Sequence, residues 1–165
     1  MKLLIASDLH GSYKYTKKIE ELILKENPEE IILLGDLFNS IAEEECINIL
    51  KKYSDKIIAV RGNCDYIINR KAMFNYENPY LLLTIDGKRY LLTHGHELYK
   101  YTNLEYDYIL QGHTHYANLH GKTINPGSAG HPRGGNIHTC IIYEDKQFSL
   151  IDLDTFEIID KRYIN

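Results

Sequence analysis

Five short segments of this 165-residue chain place aspartate, asparagine or histidine directly after an apolar run. The segments are 7–10, 35–36, 61–65, 94–96 and 111–115. Four of the five also carry a glycine beside the polar group. Glycine lets a backbone turn sharply or approach a ligand closely. Imidazole, carboxylate and amide groups are the nitrogen and oxygen donors that bind divalent transition metals. The segments therefore indicate metal chemistry.

The number of candidate donors exceeds what one metal ion needs. The seven candidates are Asp8, His10, Asp36, Asn63, His94, His113 and His115. If one carboxylate bridges, they supply four protein ligands to each of two ions. Two ions about 3.5–4 Å apart can hold both the attacking and the leaving oxygen of an in-line displacement at phosphorus. No single motif decides this: an aspartate after a strand is more often a helix cap, and two histidines at i, i+2 can be ordinary surface residues. The conjunction of all five indicates a metal centre.

The apolar runs that precede these segments have the length and composition of β-strands. We predict strands at 3–6, 31–34, 57–60, 80–85, 90–92, 108–110, 138–143 and 148–153. The first three runs are apolar on both faces, as buried parallel strands are. In an open α/β sheet the loops beyond the carboxyl ends of the strands form the ligand crevice. The donors are therefore expected to meet at one rim.

Two amphipathic helices are predicted between the first three strands. Ser12 is placed as the cap of the first helix, which ends before Pro28. Ser40 and Glu43 have the spacing of a capping box for the second, whose buried stripe runs through Cys46, Ile49, Leu50 and Tyr53. The N-terminal half is thus β-α-β-α-β, and the C-terminal half is expected to form a second, more antiparallel sheet with hairpins at Asp86-Gly87 and 144–146. The class is α/β, in one domain over 1–165.

Composition excludes several other classes of protein. The net charge is −4 and no basic block occurs, so strong nucleic-acid binding is not expected. No apolar run approaches the roughly 20 residues of a membrane span, and the N-terminal run is too short for a signal peptide. Three widely spaced cysteines argue against a disulfide framework. We expect a cytoplasmic protein, and the sequence leaves open whether it forms a homo-oligomer.

The motifs D-x-H, G-D, G-N-x-D, H-G-H and G-H-x-H occur in this order between residues 8 and 115, and Ile-Asn-Pro-Gly-Ser follows at 124–128. This set resembles the calcineurin-like metallophosphoesterase superfamily, and in particular its small, single-domain YfcE-like phosphodiesterase branch. The resemblance implies a four-layer α-β-β-α sandwich of two mixed sheets. It also implies a phosphodiesterase that hydrolyses a small phosphodiester with a hydroxide activated by a dinuclear metal centre.

The resemblance further implies how the seven donors are shared. One ion would be held by Asp8, His10, Asp36 and His115, and the other by Asp36, Asn63, His94 and His113. Family members use manganese, nickel, iron, cobalt or zinc, and nitrogen and oxygen donors alone do not choose among these.

Three residues are candidates for direct roles in catalysis: Asn63, Cys64 and His96. Many family members have histidine at the position of Cys64, where it helps to protonate the leaving group, and a thiol is a poorer proton donor. His131 and Arg133 rank below the motif residues as groups near the site. The alternatives left open are a phosphomonoesterase, nuclease or protein phosphatase of the same superfamily, and a non-catalytic protein-binding scaffold on the same fold.

Overall fold

The computed structural model describes residues 1–133 and 137–165. Within these residues the chain forms two α-helices, α1 (Tyr13–Glu26) and α2 (Glu43–Leu50). The strands are β1 (Lys2–Ala6), β2 (Glu30–Leu33), β3 (Ile57–Ala59), β4 (Tyr80–Ile85), β5 (Lys88–Thr93), β6 (Tyr108–Gln111), β7 (Ala117–Asn118), β8 (Thr123–Pro126), β9 (Thr139–Glu144), β10 (Gln147–Asp152) and β11 (Ile158–Tyr163). Three short 3₁₀ helices lie at Lys51–Tyr53, Arg70–Ala72 and Leu98–Tyr101.

The strands form two mixed sheets. The first sheet has the order β11-β10-β9-β1-β2-β3 and the second has the order β4-β5-β6-β8-β7. In the first sheet β1, β2 and β3 are parallel, while β9, β10 and β11 are antiparallel to their neighbours. In the second sheet β5, β6 and β8 are parallel. The expectation that the C-terminal strands form one separate, more antiparallel sheet is therefore wrong, because β9 pairs with β1.

The central strands are apolar on both faces because both faces are buried. Leu3 and Ile5 of β1 point into the core between the two sheets. Leu4 and Ala6 point the other way, into the core that α1 and α2 cover. All four side chains are fully buried. This arrangement explains the unbroken apolar runs of the first strands.

The α/β class and the two mixed sheets agree with the expected fold. The outer layers are unequal, however. The two α-helices cover the first sheet, while the 3₁₀ helix Leu98–Tyr101 lies on the second, where Tyr101 packs with Leu91 and Ile109. The segment between β5 and β6 first passes through the histidines at 94–96, and this short 3₁₀ helix is its one helical element.

The predicted hairpin turns are present, and the helix caps differ from expectation. Both residues of the Asp86-Gly87 turn have positive φ, as a two-residue type I′ turn requires. Ser12 stands at the N-cap of α1, but its side chain makes no capping hydrogen bond in the described structure. The prediction of a capping box at Ser40 and Glu43 is wrong, since Ala42 is the N-cap of α2. Ser40 instead donates its hydroxyl to the carbonyl of Gly11 at 2.8 Å, which joins the loops after β1 and β2.

The structure also contains no helix, among the residues described, that is long and apolar enough to cross a bilayer.

Candidate metal centre

The loops that follow β1, β2, β5 and β6 meet at one rim of the two sheets. The backbone N–H of Asp8 donates to the carbonyl of Gly35 at 3.0 Å, which joins the first two loops. The backbone N–H of His113 donates to Asp8 Oδ2 at 3.0 Å, and Nδ1 of His94 lies 2.7 Å from the carbonyl of Leu34. These last two contacts run from the second sheet to the first. The backbone N–H of Cys64, after β3, donates to Asp36 Oδ1, so the predicted convergence of the five segments is seen in the structure.

One group of donor atoms gathers around Asp8. Its Oδ1 lies 3.1 Å from His115 Nε2 and 3.7 Å from His10 Nε2. The same His10 atom is 3.6 Å from Oδ2 of Asp36 and 3.4 Å from Nε2 of His115. The donor atoms of Asp8, His10 and His115 thus form one compact cluster, and Asp36 joins it through His10. This is the set that the family resemblance assigned to one ion.

A second group lies on the other side of Asp36. Its Oδ2 is 3.2 Å from His94 Nε2, so the same oxygen faces His10 and His94. The ring of His113 stands nearly perpendicular to that of His94, with 5.0 Å between their centroids. Asn63 is exposed, and its Nδ2 approaches Cys64 Sγ at 3.4 Å. The Cys64 backbone N–H donates to Asp36 Oδ1 at 2.7 Å, so Asn63 is linked to Asp36 through Cys64.

The imidazoles are held with Nε2 toward the centre. Nδ1 of His94 and of His115 each face a backbone carbonyl, that of Leu34 and of His131 respectively. A carbonyl can only accept, so Nδ1 carries the proton and Nε2 keeps a free lone pair. Nδ1 of His10 pairs with Asn39 Oδ1 at 3.0 Å. Such outer hydrogen bonds fix the ring orientation that a metal ligand needs.

The backbone is left-handed at five of the seven candidate donors. The φ angles are 54° at Asp8, 46° at His10, 55° at Asp36, 68° at His113 and 63° at His115. Residues other than glycine seldom adopt this conformation, and it persists only where the surrounding structure enforces it. Positive φ therefore recurs at both donors of D-x-H and at both donors of H-x-H.

The buried atoms of this centre fit a divalent cation. Asp8 and His94 are fully buried, and Asp36 is only 2% exposed. Among the described residues, Oδ1 of Asp8 and Nε2 of His94 have no hydrogen-bond partner of acceptable geometry. Leaving such atoms buried and unpaired costs free energy. Cations bound beside Asp8 and beside His94 would satisfy both atoms. The cluster Asp8–His10–His115 lies within the first group of donors, and the cluster Asp8–Asp36–His94 spans the two groups; each is compact enough to hold an ion.

Comparison with known proteins agrees with this geometry. The family model described as calcineurin-like phosphoesterase superfamily domain matches residues 1–147. The chain is also 33% identical to phosphodiesterase YfcE of Escherichia coli K12, over 100% of this chain and 99% of that protein. The chain belongs to the calcineurin-like phosphoesterase superfamily.

Other members of the superfamily extend this result. The chain is 33% identical to a probable metallophosphoesterase, YsnB of Bacillus subtilis, over 81% of this chain and 78% of that protein. The solved structure of the E. coli phosphoesterase YfcE superposes with a TM-score of 0.85 at 31% identity, covering 100% of both chains. An archaeal phosphodiesterase structure, 24% identical, has the same fold, with a TM-score of 0.67 over 99% of this chain and 100% of that one.

Asp65, the last residue of the superfamily's G-N-x-D motif, joins two loops of the centre. Its carboxylate accepts the backbone N–H groups of Asp36 at 2.8 Å, Leu37 at 2.9 Å and Gly62 at 2.7 Å. Burial raises the pKa of this carboxyl despite these bonds, which lower it. Sequence analysis gave Asp65 no role, although its fixed place in the motif was a usable signal. We infer that it positions Asp36.

Asn125 and Ser128, in the 124–128 segment, secure the loops after β6 and β1. The Asn125 amide donates to the carbonyl of Gly112 at 2.9 Å and accepts from the N–H of Gly127 at 2.8 Å. The Ser128 hydroxyl donates to the carbonyl of Asp8 at 2.8 Å and accepts from the N–H of His131 at 2.7 Å. Both residues act through the backbone, which explains why their roles were missed.

The other candidate residues lie around the centre: Cys64, His96, His131 and Arg133. Cys64 Sγ lies within 4.8 Å of donor atoms of His10 and Asp36. Burial, and then the Asp36 carboxylate, raise the pKa of the Cys64 thiol to about 11. His96 is half-buried, with its ring centroid 6.0 Å from that of His113, and burial lowers its pKa. His131 and Arg133 lie on the opposite side, near His115.

Charge coupling inside the metal-free centre predicts an unusual pH dependence of stability. Burial opposes ionisation of Asp8 and Asp36, but the neighbouring histidines outweigh it and lower both pKa values. Conversely, the Asp36 and Asp8 carboxylates raise the pKa of His94 against the effect of burial, and the Asp8 carboxylate raises that of His115. The lowered carboxyl values stabilise the fold above about pH 4, and the raised imidazole values stabilise it below about pH 6.5.

The pKa values of His96, His113 and His131 are lowered and act in the opposite sense, so the prediction concerns the coupled His94 alone. In the metal-free protein, His94→Asn should lower the melting temperature more at about pH 5.5 than at about pH 8. Thermal unfolding in the presence of a chelator measures this directly. Saturating metal should reverse the order, because imidazoles must lose their protons to bind it. A decrease caused by His94→Asn in the metal-free protein that is larger at about pH 8 than at about pH 5.5 would contradict the proposed charge coupling.

Proposed function

We propose that this chain is a phosphodiesterase that depends on two divalent transition-metal ions, of which manganese and nickel are the first to test and iron, cobalt and zinc the others. The observation that carries the proposal is the buried Asp36 carboxylate, whose Oδ2 faces His10 on one side and His94 on the other. Membership of the phosphoesterase superfamily and the names of two phosphodiesterase relatives support it.

The proposed ligand sets follow the two groups of donors. One ion is held by Asp8, His10, Asp36 and His115, and the other by Asp36, Asn63, His94 and His113. When bound, the paired ions supply an activated water as nucleophile and polarise the phosphate oxygens. The carboxylates of Asp8 and Asp36 offset part of the added positive charge, so that the rim still attracts an anionic phosphate.

The residues on the rim suggest which esters react. Cys64 keeps its proton at neutral pH because the pKa of its thiol is raised, and His96 is neutral there because burial lowers its pKa. Neither group is a ready proton donor to a departing alkoxide. Small phosphodiesters whose leaving group needs no proton, such as aryl esters, are therefore the expected substrates. Asn63, Cys64 and His96 are proposed to contact the substrate.

The decisive experiment measures metal content and activity on the same protein. Hydrolysis of bis-p-nitrophenyl phosphate is expected to stop after chelation and to return when manganese or nickel is added. Elemental analysis of the active protein should find two equivalents of transition metal. Hydrolysis that a chelator leaves unchanged would refute the proposal.

The nucleophile of this reaction is not expected to be a cysteine. A thiol with a raised pKa is a poor nucleophile near neutral pH, so Cys64→Ser should retain metal-dependent hydrolysis of bis-p-nitrophenyl phosphate within about tenfold of wild type. The value of kcat/KM checks this, with Cys46→Ser, a buried cysteine of the helical core, as a comparison for general effects on folding. Complete loss of activity in Cys64→Ser alone would point to covalent catalysis instead.

A panel of substrates separates the alternatives. A cyclic nucleotide, single-stranded DNA, p-nitrophenyl phosphate and a phosphopeptide represent a small-diester hydrolase, a nuclease, a phosphomonoesterase and a protein phosphatase. The net charge of −4 favours a small diester over nucleic acid. Inactive wild-type protein that captures a protein partner equally well after Asp36→Asn would favour the scaffold. The cytoplasm is proposed as the compartment because all three cysteines are free thiols.

A further inference from the structure

An apolar recess of about 160 Å³ opens beside the metal centre, next to Cys64. Its walls include Phe38, Tyr66, Ile67 and Tyr76. The inner end of the recess is close to the reacting position, since Cys64 Sγ lies within 4.8 Å of donor atoms of the centre. We propose that this recess binds one aromatic ester group of the substrate while the phosphate stays at the metal centre. The inference rests on the proposed phosphodiesterase function.

The size and lining of the recess suit one aromatic ring. An apolar protein cavity of about 150 Å³ is large enough to bind benzene. Phe38 and Tyr76 are almost fully buried and meet edge to face, with 5.5 Å between their centroids. Phe74 packs against both rings, so this wall is rigid before any ligand arrives. Aromatic rings prefer such edge-to-face and offset contacts with one another.

The outer wall presents large apolar side chains to water. Tyr66 is 83% exposed and Ile67 is 86% exposed. Neither side chain contributes to the core, and both stand at the mouth of the recess. A ring inserted between them and the buried wall would remove apolar surface of protein and ligand from water, which favours binding. Tyr66 and Ile67 therefore form the solvent-exposed wall of the proposed subsite.

The two carboxylates and the Tyr76 hydroxyl of the recess are already hydrogen-bonded within the protein. The Glu43 carboxylate accepts the side-chain amide of Asn69 at 2.7 Å, and the Tyr76 hydroxyl accepts the backbone N–H of the same residue at 2.7 Å. Asp65 accepts its three backbone N–H groups. Two carboxylates in the wall repel an anion, so the phosphate is kept out and an uncharged ring is admitted.

Calorimetric titration of the manganese-loaded protein with phenylphosphonate and with methylphosphonate tests the subsite without turnover. Wild type is expected to bind phenylphosphonate about tenfold more tightly than methylphosphonate. The double variant Tyr66→Ala/Ile67→Ala should reduce this preference to about twofold or less, because the ring loses one wall. Both side chains are exposed, so the fold should be retained. Tyr163→Ala, an exposed tyrosine on β11, should keep the full preference.

Equal binding of the two phosphonates by wild type, or a preference that the double variant leaves unchanged, would overturn the subsite. Hydrolysis of bis-p-nitrophenyl phosphate, measured on the same preparations, keeps the two proposals apart. Wild type that hydrolyses the diester but shows no phenyl preference would refute only the subsite. Wild type that prefers phenylphosphonate but hydrolyses no phosphodiester would support the ring subsite and refute the proposed reaction.

Discussion

Asp36→Asn is expected to lower kcat/KM for bis-p-nitrophenyl phosphate by at least about a thousandfold. The substitution keeps the size of the side chain but removes the negative charge that both groups of donors share. One of the two oxygens also becomes an amide nitrogen, which cannot bind a cation. The variant should therefore hold less metal than wild type, as elemental analysis can show, while its circular dichroism spectrum stays that of a folded protein.

The matched control is Asp55→Asn, which makes the same chemical change at an exposed aspartate outside the five donor segments. It should retain wild-type activity and metal content. An Asp36→Asn protein that keeps two equivalents of metal and more than about a tenth of the activity would contradict a bridging role for this carboxylate.

Asp65→Ala is the second change expected to have a large effect. Three backbone N–H groups would lose their acceptor in a buried place, and each unpaired buried donor costs about 1–3 kcal/mol. Allowing for entry of water, we expect the free energy of unfolding to fall by about 3 kcal/mol. Because Asp36 would no longer be held in place, kcat/KM should also fall by about a hundredfold. Urea unfolding and steady-state kinetics measure the two effects.

Asp65→Asn provides a graded comparison. Its remaining oxygen can still accept the N–H groups of Asp36 and Gly62, but its amide nitrogen would face the N–H of Leu37. The decreases in the free energy of unfolding and in kcat/KM should therefore both be smaller than in Asp65→Ala. If Asp65→Ala lowers stability but the folded enzyme turns over at the wild-type rate with wild-type KM, then Asp65 supports the fold and does not position Asp36.

Strands buried on both faces were the easiest part of the fold to predict. Leu3–Ala6 and Ile31–Leu34 are uninterrupted apolar runs because cores lie above and below them. The edge strand β11 was missed. Its residues 160–162 are Asp-Lys-Arg, and charged side chains on an edge strand discourage pairing with another chain. The same charges interrupt the apolar pattern from which a strand is predicted.

Long-range pairing was beyond the reach of local patterns. The β9–β10 hairpin was predicted from its turn, and the turn residues Asp145 and Lys146 do have positive φ. Nothing in its alternation says which strand it joins, and in the structure Leu4 of β1 lies opposite Ile142 of β9. That choice is made by the packing of whole elements, so the division of strands between the sheets could not be inferred.

The donors of the candidate centre could be predicted because their chemistry lies in their side chains. Asp8, Asp36 and His94 follow strands whose carboxyl ends must meet, so residue type and position together were sufficient to bring them to one place. The groups that orient these donors were harder to predict from the sequence. Two imidazoles are oriented by the carbonyls of Leu34 and His131, which belong to the backbone. Any residue type supplies the same carbonyl, so no sequence pattern marks it.

The left-handed backbone at Asp8, His10, Asp36, His113 and His115 has a consequence for how the centre is assembled. Folding itself imposes the unfavourable backbone conformation at these residues. A cation that binds therefore needs to induce little movement of the loops. The same residues also strain the main chain of the rim, where glycine would relax it and valine or isoleucine would strain it further. The rim is thus preorganised for cation binding, and this preorganisation lowers its local stability.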